Sequence, residues 1–277
     1  MSATVLALVI AAAFAHAAWN FLAKGAVGGV GFVWWSVVFG ALLWSPALFF
    51  ATDAELTWEA IGLMAGSGAL HALYFALLQR GYAEGDLSLV YPLARGTGPL
   101  LSTMAAIVVL GERPSLLAVA GATLVVAAVF SLVARRGPGE GALFAVLTGV
   151  AIASYTLWDK YAVDDAALGP LVYYWGTNAF NLLILSAWVL RRPAGVRQAW
   201  ARSRWRAVGV GALSPAAYVL ILYALARAPV SYVAPARETS ILIGTILGTT
   251  VLAEGDRARR LVAASGILLG VAALALG

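Results

Sequence analysis

The chain has 277 residues, of which 62% are hydrophobic and 11% charged, against about 25% charge in an ordinary soluble domain. That composition excludes a soluble globular protein, and the absence of cysteine excludes disulfides and thiolate metal sites. The net charge of +5 lies mostly in connections between apolar runs, which points to membrane topology and not to nucleic acid.

A helix crossing the hydrocarbon core needs about 20 mostly apolar residues. Ten segments qualify: Ala3–Ala23, Gly29–Phe50, Ala60–Gln79, Leu87–Leu110, Ser115–Ala134, Gly141–Trp158, Leu168–Leu190, Ala207–Ala226, Ser231–Ala253 and Leu261–Gly277. The first has no basic residue ahead of it and is read as a span, not a cleaved signal. The intervening connections are short, the longest expected loop being Arg191–Arg206. Of the 16 basic residues apart from Arg95 and Arg237, 13 follow odd-numbered spans. The positive-inside rule therefore puts the Arg191–Arg206 connection in the cytoplasm and both termini outside.

The two halves resemble each other. Trp19-Asn20 ends the first span as Trp158-Asp159 ends the sixth, while Ser88, Pro92, Arg95 and Glu112 have counterparts in Ser231, Pro235, Arg237 and Glu254. Five spans per half is an odd number, so the second half enters the membrane inverted. The expected fold is an all-α integral membrane protein of ten transmembrane helices in two inverted five-helix repeats, 1–137 and 138–277. In such chains the repeat interface near the midplane holds the substrate.

The chemistry-bearing residues cluster in the fourth and ninth spans. An arginine in lipid costs about 2.5–3.5 kcal/mol on insertion scales, so Arg95 and Arg237 are expected to face a cavity or a partner. There they either bind a carboxylate or phosphate with bidentate geometry, or serve as structural charges, with Arg237 neutralising the adjacent Glu238 or the carbonyls of a neighbouring helix. Pro92 and Pro235 remove backbone donors, and with Gly96 and Gly98 they are read as helix breaks or hinges. Glu238 is taken as the only carboxylate well inside a span, able to exchange a proton, bind an ammonium group or form an ion pair.

His16 and His71 can relay protons or serve as satisfied helix partners, and Asn20 can contact substrate or bridge helices. Tyr74, Tyr91, Tyr155, Trp158 and Tyr218 suit a cavity for an aromatic or cationic group, with packing as the alternative for each. Asn178 and Asn181 suit hydrogen bonds between helices, and the tryptophans of the second and seventh spans suit the membrane interface. Glu112 and Glu254 are read as caps or gate salt bridges with Arg113 or Arg257. Neither a metal centre, a cofactor site nor a nucleotide-binding loop can be assembled from these residues.

Ten spans in two halves, His16-Ala17-Ala18-Trp19-Asn20, the Pro-x-x-Arg segment ending at Arg95 and the acidic residues closing the fourth and ninth spans together resemble the EamA-type branch of the drug/metabolite transporter superfamily. The resemblance covers the whole chain. It implies a secondary transporter without enzymatic activity, an exporter of small metabolites with a central cavity, in the bacterial inner membrane. Such carriers are usually drawn with both termini in the cytoplasm, opposite to the charge count, and the local charges decide the orientation expected here. Amino acids or related zwitterions are the leading expected substrates, with a proton as a possible coupled ion. Organophosphates, phosphonates or lipid-linked sugars come next, and a channel stands behind them.

Overall fold

The computed structural model describes residues 1–50, 56–85, 87–131, 141–189, 191, 193–243 and 257–277; within these, the side chains of Phe50, Leu87, Ser88, Pro92 and 257–261 are outside the description. Glu254, Arg135, Arg136, Arg192 and most of the second half of the ninth expected span, together with the Arg257 side chain, therefore lie outside it too. Among the described residues the helices are α1 (Ala3–Ala23), α2 (Val30–Trp44), α3 (Trp58–Glu84), α4 (Leu87–Val109), α5 (Leu116–Ser131), α6 (Ala142–Val163), α7 (Pro170–Val189), α8 (Pro193–Leu225), α9 (Val230–Ala236) and α10 (Arg257–Leu276). Five of the stretches, Ala3–Ala23, Val30–Phe49, Trp58–Glu84, Ala142–Val163 and Pro193–Leu225, are long and apolar enough to cross a membrane. Large apolar side chains stand on the outer surface, with Val108 81%, Leu116 90% and Leu269 62% exposed, as lipid-facing positions require.

Boundaries move where polar residues extend a helix. The stretch Arg191–Arg206, expected as a loop, is helical from Pro193, so α8 has 33 residues and a length of about 50 Å. Proline at the first helical position starts it at little cost, since that N–H has no intrahelical partner. The extension is held by the α1–α2 link: Ser203 Oγ accepts from Val27 N (2.9 Å), and Arg206 Nη1 donates to the Lys24 carbonyl (2.7 Å). Likewise α6 runs past Trp158 to Val163, which carries Asp159 from an expected loop into a helix. At α2 the change is the other way: the α-helix stops at Trp44, and Ser45–Phe50 winds as a 3-10 turn around Pro46.

The expected breaks separate in the same way. Backbone helix continues through Pro92, Gly96 and Gly98, so α4 has no break there. Its glycines serve close packing: a methyl on Gly96 would meet the Phe130 ring at 3.2 Å, and one on Gly98 would meet Ile152 Cγ2 at 2.7 Å. By contrast α9 ends one residue after Pro235, turns at Arg237 and Glu238, and is helical again at 239–243. Across the turn the bonds are i to i+3, Pro235 O accepting from Glu238 N (3.0 Å) and Arg237 O from Ser240 N (3.2 Å). This tightened turn presents two consecutive charged side chains.

Helix contacts repeat between the halves. α8 packs on α1 and α2 as α3 packs on α6 and α7, while α5–α10, α4–α9 and α2–α7 meet across the centre. Glycine sets the closest approaches. A methyl on Gly211 of α8 would lie 2.8 Å from Ser36 O and 2.9 Å from Gly40 N, and one on Gly68 of α3 would lie 3.0 Å from Thr177 O and Asn181 N. Each of these positions lies 141 or 143 residues from its counterpart. Trp34 of α2 donates to Ser186 Oγ of α7 (2.8 Å), and Trp175 of α7 donates to the Ala41 carbonyl of α2 (3.2 Å). Asn178 Nδ2 bonds the Val37 carbonyl (3.2 Å). These tryptophans join helices.

The connections gather at two ends. One holds Met1, Glu112, Arg227, the 164–169 link and Gly277; there Glu112 accepts from Val230 N (2.7 Å) and Ser231 N (2.9 Å), capping α9. The other, basic end holds Lys24, Arg80, Gly141 and the first half of α8. Glu112→Ala leaves two first-turn N–H groups of α9 unsatisfied and is expected to cost about 1–2 kcal/mol. Thermal unfolding in detergent measures this; an unchanged midpoint would show that the cap contributes nothing.

Candidate functional site

Residues from seven helices converge near the middle of the bundle. The α9 turn aims Glu238 at α4, where Arg95 grips it twice: Nη2 to Oε1 at 2.8 Å and Nε to Oε2 at 3.1 Å. Both are buried, with side-chain exposures of 7% and 2%. A two-point guanidinium–carboxylate pair is geometrically specific, and removing either member strands the other charge in a dry site. The expected structural pair of Arg237 with Glu238 is thereby corrected, because neighbouring positions at a turn diverge and the carboxylate meets the opposite helix instead. Arg237 lies over the Tyr218 ring, 5.7 Å from its centroid. Arg95, Arg237 and Glu238 line one small pocket with Ser102 and Thr156. Ser240 Oγ, two residues beyond Glu238, is buried without a hydrogen-bond partner among the described residues.

An aromatic wall flanks this pocket. His71 stacks on Tyr155 (4.2 Å between centroids) and meets Tyr218 edge-on (5.2 Å), while Tyr74 and Tyr155 lie 6.0 Å apart. Tyr74 and His16 lie within electrostatic reach of both arginines, and Tyr91 of Arg95 and Glu238. Thus Arg95, Arg237, Glu238, Tyr74, Tyr91, Tyr155, Tyr218, His16 and His71 are brought together. Asn20 stays on its own helix, donating to the His16 carbonyl (2.8 Å). Trp158 stands apart: it is 40% exposed, and its Nε1 donates to the Leu63 carbonyl (2.8 Å) between α3 and α6.

A second buried carboxylate corrects the reading of Glu238 as the only one. Asp159 is fully buried. Its Oδ1 accepts from Ser67 Oγ (2.6 Å) and Tyr173 OH (2.6 Å), and its Oδ2 accepts from Tyr218 OH. His71 Nδ1 lies 2.9 Å from the Ser67 carbonyl, which ties the histidine to the same group. The signal was present in the sequence, since Asp159 is the repeat counterpart of Asn20. Ser67 and Tyr173 carried no such mark.

Comparison with known proteins fixes the wider kinship. A solved crystal structure superposes over 100% of this chain and 98% of its own, with a TM-score of 0.78 and 18% sequence identity, a likeness of fold. No curated protein matches the sequence. The model of the EamA-like transporter family matches residues 3–134 and again 139–276, once in each half. The chain is a membrane-integral, two-repeat member of the EamA-like transporter family.

Proposed function

We propose that this transporter is a secondary-active, alternating-access carrier that exports amino acids or related zwitterions across the bacterial inner membrane, spanning it ten times with the basic end in the cytoplasm. The observation that carries the reading is one carboxylate and two guanidinium groups around a single pocket. A zwitterion matches that set in both signs. Its carboxylate replaces Glu238 on Arg95, with Arg237 alongside, and its ammonium takes the released Glu238, so no charge is left unpaired during exchange. The tyrosines and histidines supply faces for the side chain and for the ammonium group. A phosphate ester would find both arginines but would also meet Glu238, a repelling charge.

The test is export of labelled amino acids from proteoliposomes loaded at saturating and subsaturating concentrations. Saturable export that trans-added amino acid accelerates is the expected result, with Glu238→Gln lowering it at least about tenfold. Competition by phosphate esters and not by amino acids would transfer the reading to organophosphates, and flux that neither saturates nor exchanges would make the protein a channel.

A further inference from the structure

Asp159 has no part in the substrate reading above, yet it is the most heavily bonded carboxylate described in the bundle. Three helices each supply one hydroxyl: Ser67 from α3, Tyr173 from α7 and Tyr218 from α8. The ionisable groups facing it are His71 on α3, Tyr155 on its own helix, Tyr173 and Tyr174 on α7, Tyr218 on α8 and, beyond the Tyr218 ring, Arg237 of the α9 turn. Arg95 of α4 is held by Glu238. Lys160, the next residue, reaches the Leu225 carbonyl (2.8 Å) and Asp164 instead. Among the described residues no cation lies within ion-pair distance of Asp159.

Hydroxyl partners make such a site reversible. A hydroxyl both donates and accepts, so the ionised carboxylate can take three O–H bonds, while the protonated acid can turn one round and donate to a tyrosine oxygen. An arginine partner would not permit this, since it only donates. A pocket from the terminal end also approaches the site. A pocket of about 360 Å³ between the start of α3 and the 166–169 link, at the end that carries the termini, is lined by Glu59, Leu63, Gly169 and Tyr173. Tyr173, itself fully buried, thus stands between this pocket and Asp159, to which its hydroxyl donates.

We propose that Asp159 is the transporter's reversible proton site, loaded from the terminal end through the pocket over Tyr173 and coupled to the substrate pocket through Tyr218 beneath Arg237. The coupling part rests on the carrier reading given above; the proton site does not. On loading, a hydronium ion from the pocket gives its proton to the Asp159 carboxylate, which becomes the neutral acid, and the same proton leaves when the acid ionises. The change reverses one hydrogen bond at Tyr218 or Tyr173. Through Tyr218 it reaches the ring on which Arg237 rests.

Infrared difference spectroscopy of the purified full-length protein in nanodiscs tests the site without any substrate. On acidification the wild type should gain the carbonyl band of a buried carboxylic acid, Glu238→Gln should keep it, and Asp159→Asn should lose it. A band that persists in Asp159→Asn, or none in the wild type, overturns the proposal. Should Asp159→Asn fail to fold, Tyr173→Phe decides: a displaced pH midpoint of the band supports the site, and an unmoved one overturns it. In proteoliposomes with labelled amino acids, Asp159→Asn should lose pH-gradient-driven accumulation by about tenfold or more while one-for-one exchange stays within about twofold. Loss of both would make Asp159 part of the substrate site and overturn the coupling. A wild type that moves no amino acid overturns the substrate reading alone and leaves the infrared result to judge the proton site.

Discussion

Arg95→Ala is expected to abolish transport and to destabilise the protein by about 3–5 kcal/mol, because it leaves the Glu238 carboxylate charged and unpaired at 2% exposure. The two effects have separate causes and can be separated by experiment. In Arg95→Ala/Glu238→Gln the stranded charge is gone, so most of the stability should return while transport stays absent. Thermal unfolding in detergent and exchange in proteoliposomes measure the two quantities on the same preparation. A single-variant loss below about 1 kcal/mol would place the pair with exposed ion pairs and remove its structural role.

The second large effect concerns a close backbone approach between the halves. Gly211→Leu places a branched side chain where even a methyl would lie 2.8 Å from Ser36 O, so α2 and α8 must part along their shared length. Both contacting atoms belong to backbone and cannot rotate away. Gly68→Leu does the same at the counterpart contact of α3 with α7. Overpacking of an ordinary core costs about 1–3 kcal/mol, and a rigid backbone neighbour puts these two at or above the top of that range. The expected result is little monodisperse protein after extraction. Gly62→Ala is the control, since nothing lies within 4 Å of its added methyl. Normal extraction of Gly211→Leu would mean that the contact with α2 is not formed in the membrane.

The apolar runs were legible because lipid imposes length and hydropathy on each one: Ala3–Ala23 is both an expected segment and the observed α1. The duplication was legible in Pro92 with Pro235 and Arg95 with Arg237. Which helix each charged side chain meets was not, because helix register across a bundle is a tertiary property. Arg237 adjoins Glu238 in sequence, yet Arg95, 143 residues away, holds it. Asp159 was hidden for a related reason. It opens a polar stretch through Asp165 that reads as a loop, and only three hydroxyls from distant helices make its burial tolerable. The charged start of α8 was missed for its composition as well, since a helix continuing beyond the hydrocarbon has no hydropathy signal.

The two ends of the bundle do not close by the same means. At the basic end Ser203 and Arg206 clasp the α1–α2 link by hydrogen bonds to Val27 and Lys24. The residues 143 positions earlier, facing the matching link at the opposite end, are Ala60 and Leu63, whose side chains have no donor to offer. Duplication has thus let the fastenings diverge: one end carries a polar buckle, and at the corresponding places of the other Ala60 and Leu63 instead border an open pocket beside the 166–169 link.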